Sequence, residues 1–230
     1  PRDQWDIERD TPWGRIPYIE YRHEVEFEEK EYDEIDRYCR ELGIMWTASA
    51  WDIPSVEFLE KYDIPFHKAP SAVLTDIELL QSMQKNNIPL IISTGMSEME
   101  QIENAVNHLN TDNLMIAHST STYPCKIEEL NLRVISTLRN KYNDIPIGYS
   151  GHETGLAPTW TAVALGANYV ERHITLDRAM WGTDQSASVE IEGFFRLVRN
   201  IRDIERAMGD GVKKLYDSEK PILNKLRKVK

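Results

Sequence analysis

The sequence predicts an α/β chain built on a (β/α)8 barrel, with strands three to eight present and the first two missing. Three observations carry this. Short apolar runs alternate six times with amphipathic helical stretches, at intervals of roughly 20–30 residues. No G-x-G-x-x-G follows any of the runs, which weighs against a dinucleotide fold. Polar side chains crowd the C-terminal end of nearly every run, at Ser49, Lys68, Ser71, Ser93, Ser119, Ser121, Ser150, His152 and His173. A barrel gathers those ends around one mouth, where its active site lies. The competing architecture is a six-stranded open, doubly wound sheet.

Taken in order, residues 1–27 hold three Pro and irregularly spaced Trp and Tyr, and read as a long loop with aromatic anchors. The stretch 28–42 is an acidic helix whose stripe of Tyr32, Ile35, Tyr38, Cys39 and Leu42 faces a core. Gly43 ends it. The strand-like runs are 43–47, 66–69, 89–93, 114–118, 146–149 and 169–173, short and apolar as parallel strands buried on both faces should be. Helices are predicted over 54–62, 76–85, 96–109, 127–141 and 157–165, then over 190–208 and 217–226. Thr75 with Glu78 and Ser97 with Glu100 have capping-box spacing. Residues 1–212 are assigned to the barrel and 213–230 to a basic C-terminal helix or tail. An eight-stranded barrel lacking two strands has unpaired edges, so the first two strands are expected upstream of Pro1. The gap is expected between the strand at 43–47 and the one ending at His173.

Composition narrows function. The 230 residues carry 27 basic and 38 acidic side chains, a net charge of −11, which argues against nucleic acid as a partner. The charge is uneven: residues 1–63 are net −10 and residues 211–230 net +5. No run of residues is long and apolar enough to cross a membrane, and no secretory signal opens the chain. Cys39 and Cys125 lack metal or redox spacing, and reduced, cytoplasmic thiols are the default.

Three constellations carry chemistry. His152, in GYSGHETG, and His173, in VERHIT, follow neighbouring strands about 5 Å apart and could share one divalent transition metal, or each could simply hydrogen-bond at the mouth. Lys68 is out of place in an apolar strand unless paired. With the hydroxyls of Ser49, Ser71, Ser93 and Ser150 it makes a cradle for phosphate or carboxylate, although serines at such positions also cap helices. Gly95 in STGM allows a sharp turn after Ser93. Third, the long loop 176–188 holds Trp181, Gly182 and Asp184, and Asp184 could bind sugar hydroxyls or merely sit in a turn. His118 ends a strand as well. His23, His67 and His108 read as ordinary polar positions.

The strings FHKAPS, IISTGM, STSTYP, NLRVIS, IPIGYSGHETG, AVALGANYVERHITLD and WGTDQSAS lie between residues 27 and 208. In order and spacing they resemble the N-acetylneuraminate (sialic acid) synthases and the related bacterial nonulosonate synthases. The resemblance implies a (β/α)8 barrel that condenses phosphoenolpyruvate with an N-acetylmannosamine-type amino sugar and releases phosphate. It also implies a divalent metal, usually manganese, and a cytoplasmic homodimer. Carried over, His152 and His173 fall on metal-ligand positions. Lys68, Ser71, Ser93 and Ser150 fall on positions that hold the phosphate or carboxylate of phosphoenolpyruvate, and Lys68 would stabilise the departing phosphate. Ser49 stands where the family often has Thr, and Ser121 where some members have Asn. Tyr123 and Asp184 fall on sugar-contacting positions, and Glu171 is a candidate for proton transfer or sugar contact. The family's first strands are absent, some bacterial members have Asp at the position of Gly151, and many add a C-terminal antifreeze-like domain that supplies an Arg to the partner's site. A legionaminate- or pseudaminate-type sugar, or a non-catalytic sugar-binding barrel in polysaccharide assembly, are the alternatives.

Overall fold

A computed structural model describes residues 2–229. The chain opens with a hairpin of β1 (Glu8–Thr11) and β2 (Gly14–Pro17), followed by α1 (Tyr18–Val25) and α2 (Glu29–Leu42). Then come α3 (Ile53–Leu59), β3 (His67–Ala69), α4 (Ile77–Gln84), β4 (Leu90–Ser93), α5 (Met99–Asn107), β5 (Leu114–Ser119), α6 (Arg133–Lys141), β6 (Ile147–Gly151), α7 (Ala157–Ala164) and β7 (Val170–Arg172). The chain closes with β8 (Ile174–Thr175), β9 (Val189–Glu190), α8 (Ile191–Met208) and α9 (Lys220–Leu226).

Strands β3 to β7 form one parallel sheet in chain order. The order never reverses, so every crossover steps the same way. Right-handed crossovers then leave α4 to α7 on one face of the sheet. A doubly wound sheet would put helices on both faces and is ruled out. The result is a curled half-barrel.

Strand parity divides the side chains cleanly. Ala69, Leu90, Ile92, Leu114, Ile116, Ile147 and Tyr149 point to the helices and pack with Leu79, Leu80, Met83, Ile102, Val106, Ile135 and Leu138 in one core. Leu80 is fully buried there, so truncation to Ala costs about 2–5 kcal/mol. The paired positions Lys68, Ile91, Ser93, Ala117, Ser119, Ser150 and Glu171 share the opposite, inner face.

Several expectations are corrected. The sheet has five strands, not six, because residues 44–50 form no ladder. Their one tie to the next segment is Thr47 Oγ1, which donates to the carbonyl of Phe66 at 2.8 Å. An extended segment needs a backbone partner to become a strand, and this one lies at an open edge. Full closure into eight strands is not seen. The described part of the predicted loop 1–27, residues 2–27, is no loop, since Pro12 and Trp13 turn a hairpin that runs directly into α1. The run ending at His173 is broken: β7 stops at Arg172, and β8 leaves to pair with β9 in a separate two-stranded sheet. The caps of α4 and α5 fall one residue later than predicted, on Asp76, which accepts from Leu79 N, and on Glu98, boxed with Gln101. Gly43 does end α2, in the left-handed region at φ 66°. The predicted α2 stripe is only half used. Tyr32 packs on the core, whereas Tyr38 and Leu42 face solvent beside the open edge.

Candidate active site at the strand ends

The ends of β3, β4, β6 and β7 open on a cavity of about 420 Å³ on the inner face. Nine of the predicted site residues line it: Ser49, Lys68, Ser71, Ser93, Tyr123, Ser150, His152, Glu171 and His173. Thr47, Trp51 and Phe66 complete one wall. Ser121 and Asp184 stand just behind it, each against a lining residue.

On one side is the hydroxyl and ammonium group. Lys68 leaves β3 into the cavity, its side chain 11% exposed, and its Nζ lies 3.4 Å from Glu171 Oε2. Ser150 donates to Glu171 Oε1 at 2.9 Å, so both carboxylate oxygens are held. Ser71 Oγ accepts from Gly95 N at 3.1 Å. Ser93 Oγ and Ser121 Oγ are buried and have no partner among the described residues. Orphan buried hydroxyls are uncommon unless something else binds them. Gly95 is where these groups converge. A Cβ there would lie 2.0 Å from Ser121 Oγ and 2.7 Å from Ser71 Oγ. Among the described residues, Lys68 is the only Lys or Arg on the cavity wall.

On the other side are the two imidazoles, with ring centroids 5.2 Å apart. His152 Nδ1 donates to the carbonyl of Thr120 at 2.8 Å, and His173 Nδ1 faces Asp184 Oδ2 at 3.6 Å. With Nδ1 of His152 bonded and Nδ1 of His173 turned toward Asp184, Nε2 of each ring is left for a ligand. Metal-binding histidines are commonly oriented by a carbonyl or carboxylate on the other ring nitrogen. Burial pushes the His152 imidazole below its usual value, the Thr120 carbonyl partly offsets this, and the neighbouring His173 lowers it further. Neutral His152 can therefore accept a cation. Among the described residues, however, no group of three or more His, Cys, Asp or Glu is arranged to hold a metal. Two rings of this kind fit half a coordination sphere, with the rest left to substrate and water.

Tyr123 packs against both imidazoles. Its ring lies 4.3 Å from that of His152 and 5.6 Å from that of His173. Burial, and then the Asp184 carboxylate, hold its phenol above the ordinary range. The loop carrying Asp184 is clasped from outside, where Trp181 meets Trp13 of the β1–β2 turn and Tyr21 of α1.

His118 does not join the site. It points to the helices, and its ring Nε2 meets the Leu130 carbonyl at 2.7 Å. Sequence reasoning missed Glu153 and Arg172, a fully buried pair at 3.0 Å directly behind the histidines. Their alternation with His152 and His173 along the chain was the available clue.

Comparison with known proteins gives the site a context. A family model described as the NeuB family matches residues 2–213. An N-acetylneuraminate-9-phosphate synthase of Homo sapiens is 43% identical over 219 residues, covering 94% of this chain and 60% of that protein. An N,N'-diacetyllegionaminic acid synthase of Campylobacter jejuni is 34% identical over 209 residues, covering 89% of this chain and 62% of that protein. The chain thus spans about 60% of the length of the curated relatives it matches. The structure of a sialic acid synthetase of Leptospira borgpetersenii, in complex with citrate, aligns with a TM-score of 0.80 at 30% identity, over 89% of this chain and 73% of that one.

Proposed function

Because the chain belongs to the NeuB family, we propose that its cavity is the centre of a nonulosonic acid synthase. The proposed reaction condenses phosphoenolpyruvate with N-acetylmannosamine or a related aldose and releases phosphate. The observation that carries the reading is the division of one cavity into two chemistries. Lys68 with the serine hydroxyls forms an anion cradle, and it faces two imidazoles whose Nε2 atoms are unclaimed.

In this reading Lys68 Nζ and the hydroxyls of Ser71, Ser93 and Ser150 bind the phosphate and carboxylate of phosphoenolpyruvate, with Ser49 and Ser121 at the margin. The orphan hydroxyls of Ser93 and Ser121 would gain partners on binding. His152 and His173 would hold a divalent metal, manganese by resemblance to the family, which when bound supplies Lewis acidity toward the aldehyde oxygen. Tyr123 and Asp184 orient the sugar beside the histidines. Carbon 3 of phosphoenolpyruvate attacks the aldehyde carbon, water adds at carbon 2, and the tetrahedral adduct expels phosphate. Lys68 stabilises the charge that grows on the leaving group, because its ammonium is fixed before the reaction begins. Glu171, held by Ser150 and Lys68, would take the proton of the water that adds at carbon 2, or supply the proton that the aldehyde oxygen gains as it becomes a hydroxyl. The proposal extends to a cytoplasmic homodimer.

The names of the relatives divide over the aldose, since one makes a 9-phosphate and another a legionaminic acid. The test is phosphate release by full-length protein with phosphoenolpyruvate, manganese and a panel of aldoses that includes N-acetylmannosamine, its 6-phosphate and a legionaminate precursor. Release with at least one aldose supports the reading. No release with any of them by folded, metal-loaded protein would overturn it.

A further inference from the structure

Among the ion pairs of the described residues, Glu153–Arg172 is the most completely buried, with side-chain exposures of 0% and 2%. Residues in a strand alternate in direction. Arg172 therefore points away from the cavity, between Glu171 and His173, and Glu153 follows His152 in the same sense. The pair lies directly behind both imidazoles, one peptide away from each.

Its hydrogen bonds join the segments of both histidines to the loop of Asp184. Arg172 Nη1 donates to Glu153 Oε1 at 3.0 Å, to the Gly155 carbonyl at 2.9 Å and to Thr159 Oγ1 at 2.9 Å. Nη2 donates to the Glu153 carbonyl at 2.7 Å and to that of Ala187 at 3.3 Å, on the loop that bears Asp184. Tyr149 and Thr159 donate to the two oxygens of the Glu153 carboxylate, at 2.8 and 2.9 Å. The backbone of Cys125 is bridged to Glu153 and donates to the carbonyl of His152 at 3.1 Å, which ties in the loop of Tyr123. The guanidinium thus ties the segments of His152 and His173 to the loop of Asp184, and the backbone bond from Cys125 adds the loop of Tyr123.

Buried ion pairs are poor sources of stability, because desolvation of two charges offsets their attraction. A network of this extent, spent behind a site, calls for another role. We propose that Glu153 and Arg172 are positioning residues that set the spacing and orientation of the two imidazoles, and that the cavity's metal affinity depends on them. The inference rests on the metal reading of His152 and His173.

The test uses full-length protein, with manganese titrated calorimetrically and folding followed by circular dichroism and thermal melting. The variants are His152→Ala/His173→Ala, Glu153→Gln/Arg172→Met and Glu153→Gln alone. Replacing both partners avoids an unpaired buried charge, so the double variant should melt within a few degrees of the wild type. Loss of a group bonded to a ligating imidazole weakens metal affinity by about 10- to 100-fold; the pair acts one step further out, on the backbone that carries the imidazoles, and a weakening of about 10-fold is expected in the double variant. Wild-type affinity in a folded double variant would overturn the positioning role and leave the metal reading intact. Equal binding by the wild type and the histidine variant, or none by either, would overturn the metal reading and this inference with it. Should the double variant fail to fold, Glu153→Gln decides. It keeps the shape and one oxygen to accept from Thr159 and Arg172, while its amide nitrogen replaces the oxygen that accepts from Tyr149, and unchanged affinity in it would equally refute the inference.

Discussion

Replacing Lys68 with Met separates binding from stability at a single position. The side chain is 11% exposed, and among the described residues its ammonium is the only permanent positive charge on the cavity wall. A hydrogen bond to a charged group contributes about 1.5–3 kcal/mol. At about 1.4 kcal/mol per factor of ten, loss of the phosphate contact should raise the apparent constant for phosphoenolpyruvate about 10- to 150-fold. The cost to the fold is much smaller. The partner, Glu171, is 41% exposed, so water screens the ion pair and its loss costs under about 1 kcal/mol. Steady-state phosphate release, run with each substrate varied in turn, reads the first effect, and a thermal melt reads the second. A raised constant for the sugar with an unchanged constant for phosphoenolpyruvate would refute the assignment of Lys68 to the anion cradle. So would a collapse of the melting temperature, which would make Lys68 a structural residue.

Gly95→Ala should leave the fold intact while driving Ser71 and Ser121 off their positions, since the new Cβ falls 2.0 Å from Ser121 Oγ. The constant for phosphoenolpyruvate should rise, Ser121→Ala in the same chain should recover part of the loss, and failure of that rescue would count against the crowding argument. His152→Ala/His173→Ala should abolish manganese retention, measured by elemental analysis of dialysed full-length protein, and unchanged metal content would refute the assignment. His67 and His118 are buried, and desolvation is the main force holding both imidazoles below the ordinary value of 6.5. In both, the unfolded chain binds the proton more readily. Their contribution is complete above about pH 6.5 and is lost as pH falls through their folded-state values. The melting temperature should drop between pH 7 and 5, and His67→Leu, which removes a ring with neither nitrogen partnered by a hydrogen bond, should flatten that drop. An equal slope in the variant would disprove it.

The parallel strands β3 to β7 and the cavity-lining residues were legible because both depend on short-range regularities. Apolar runs mark strands buried on both faces, and polar residues at their ends mark a mouth. Residues 44–50 have the same apolar look, but a strand exists only when a neighbour supplies its backbone partners, and composition does not record the neighbour. The β1–β2 hairpin was hidden by Pro12 and Trp13, which resemble loop residues although they make the turn itself. Tyr38 and Leu42 fit a helical stripe, but what covers a stripe is set by tertiary packing. Glu153 and Arg172 were passed over because each, alone, looks like an ordinary surface charge. Only the register between β6 and β7, with Gly151 opposite Arg172, brings them together.

The central claim is that phosphoenolpyruvate loses its phosphate in this cavity through water adding at carbon 2. Phosphoenolpyruvate labelled with oxygen-18 in the bridging position tests this most directly, with full-length protein, manganese and an accepted aldose, and with the products weighed by mass spectrometry. The account predicts that the label leaves in inorganic phosphate and that the new nine-carbon acid is unlabelled. Label retained in the sugar acid, with unlabelled phosphate, would mean that the phosphorus–oxygen bond breaks instead, and would contradict the account.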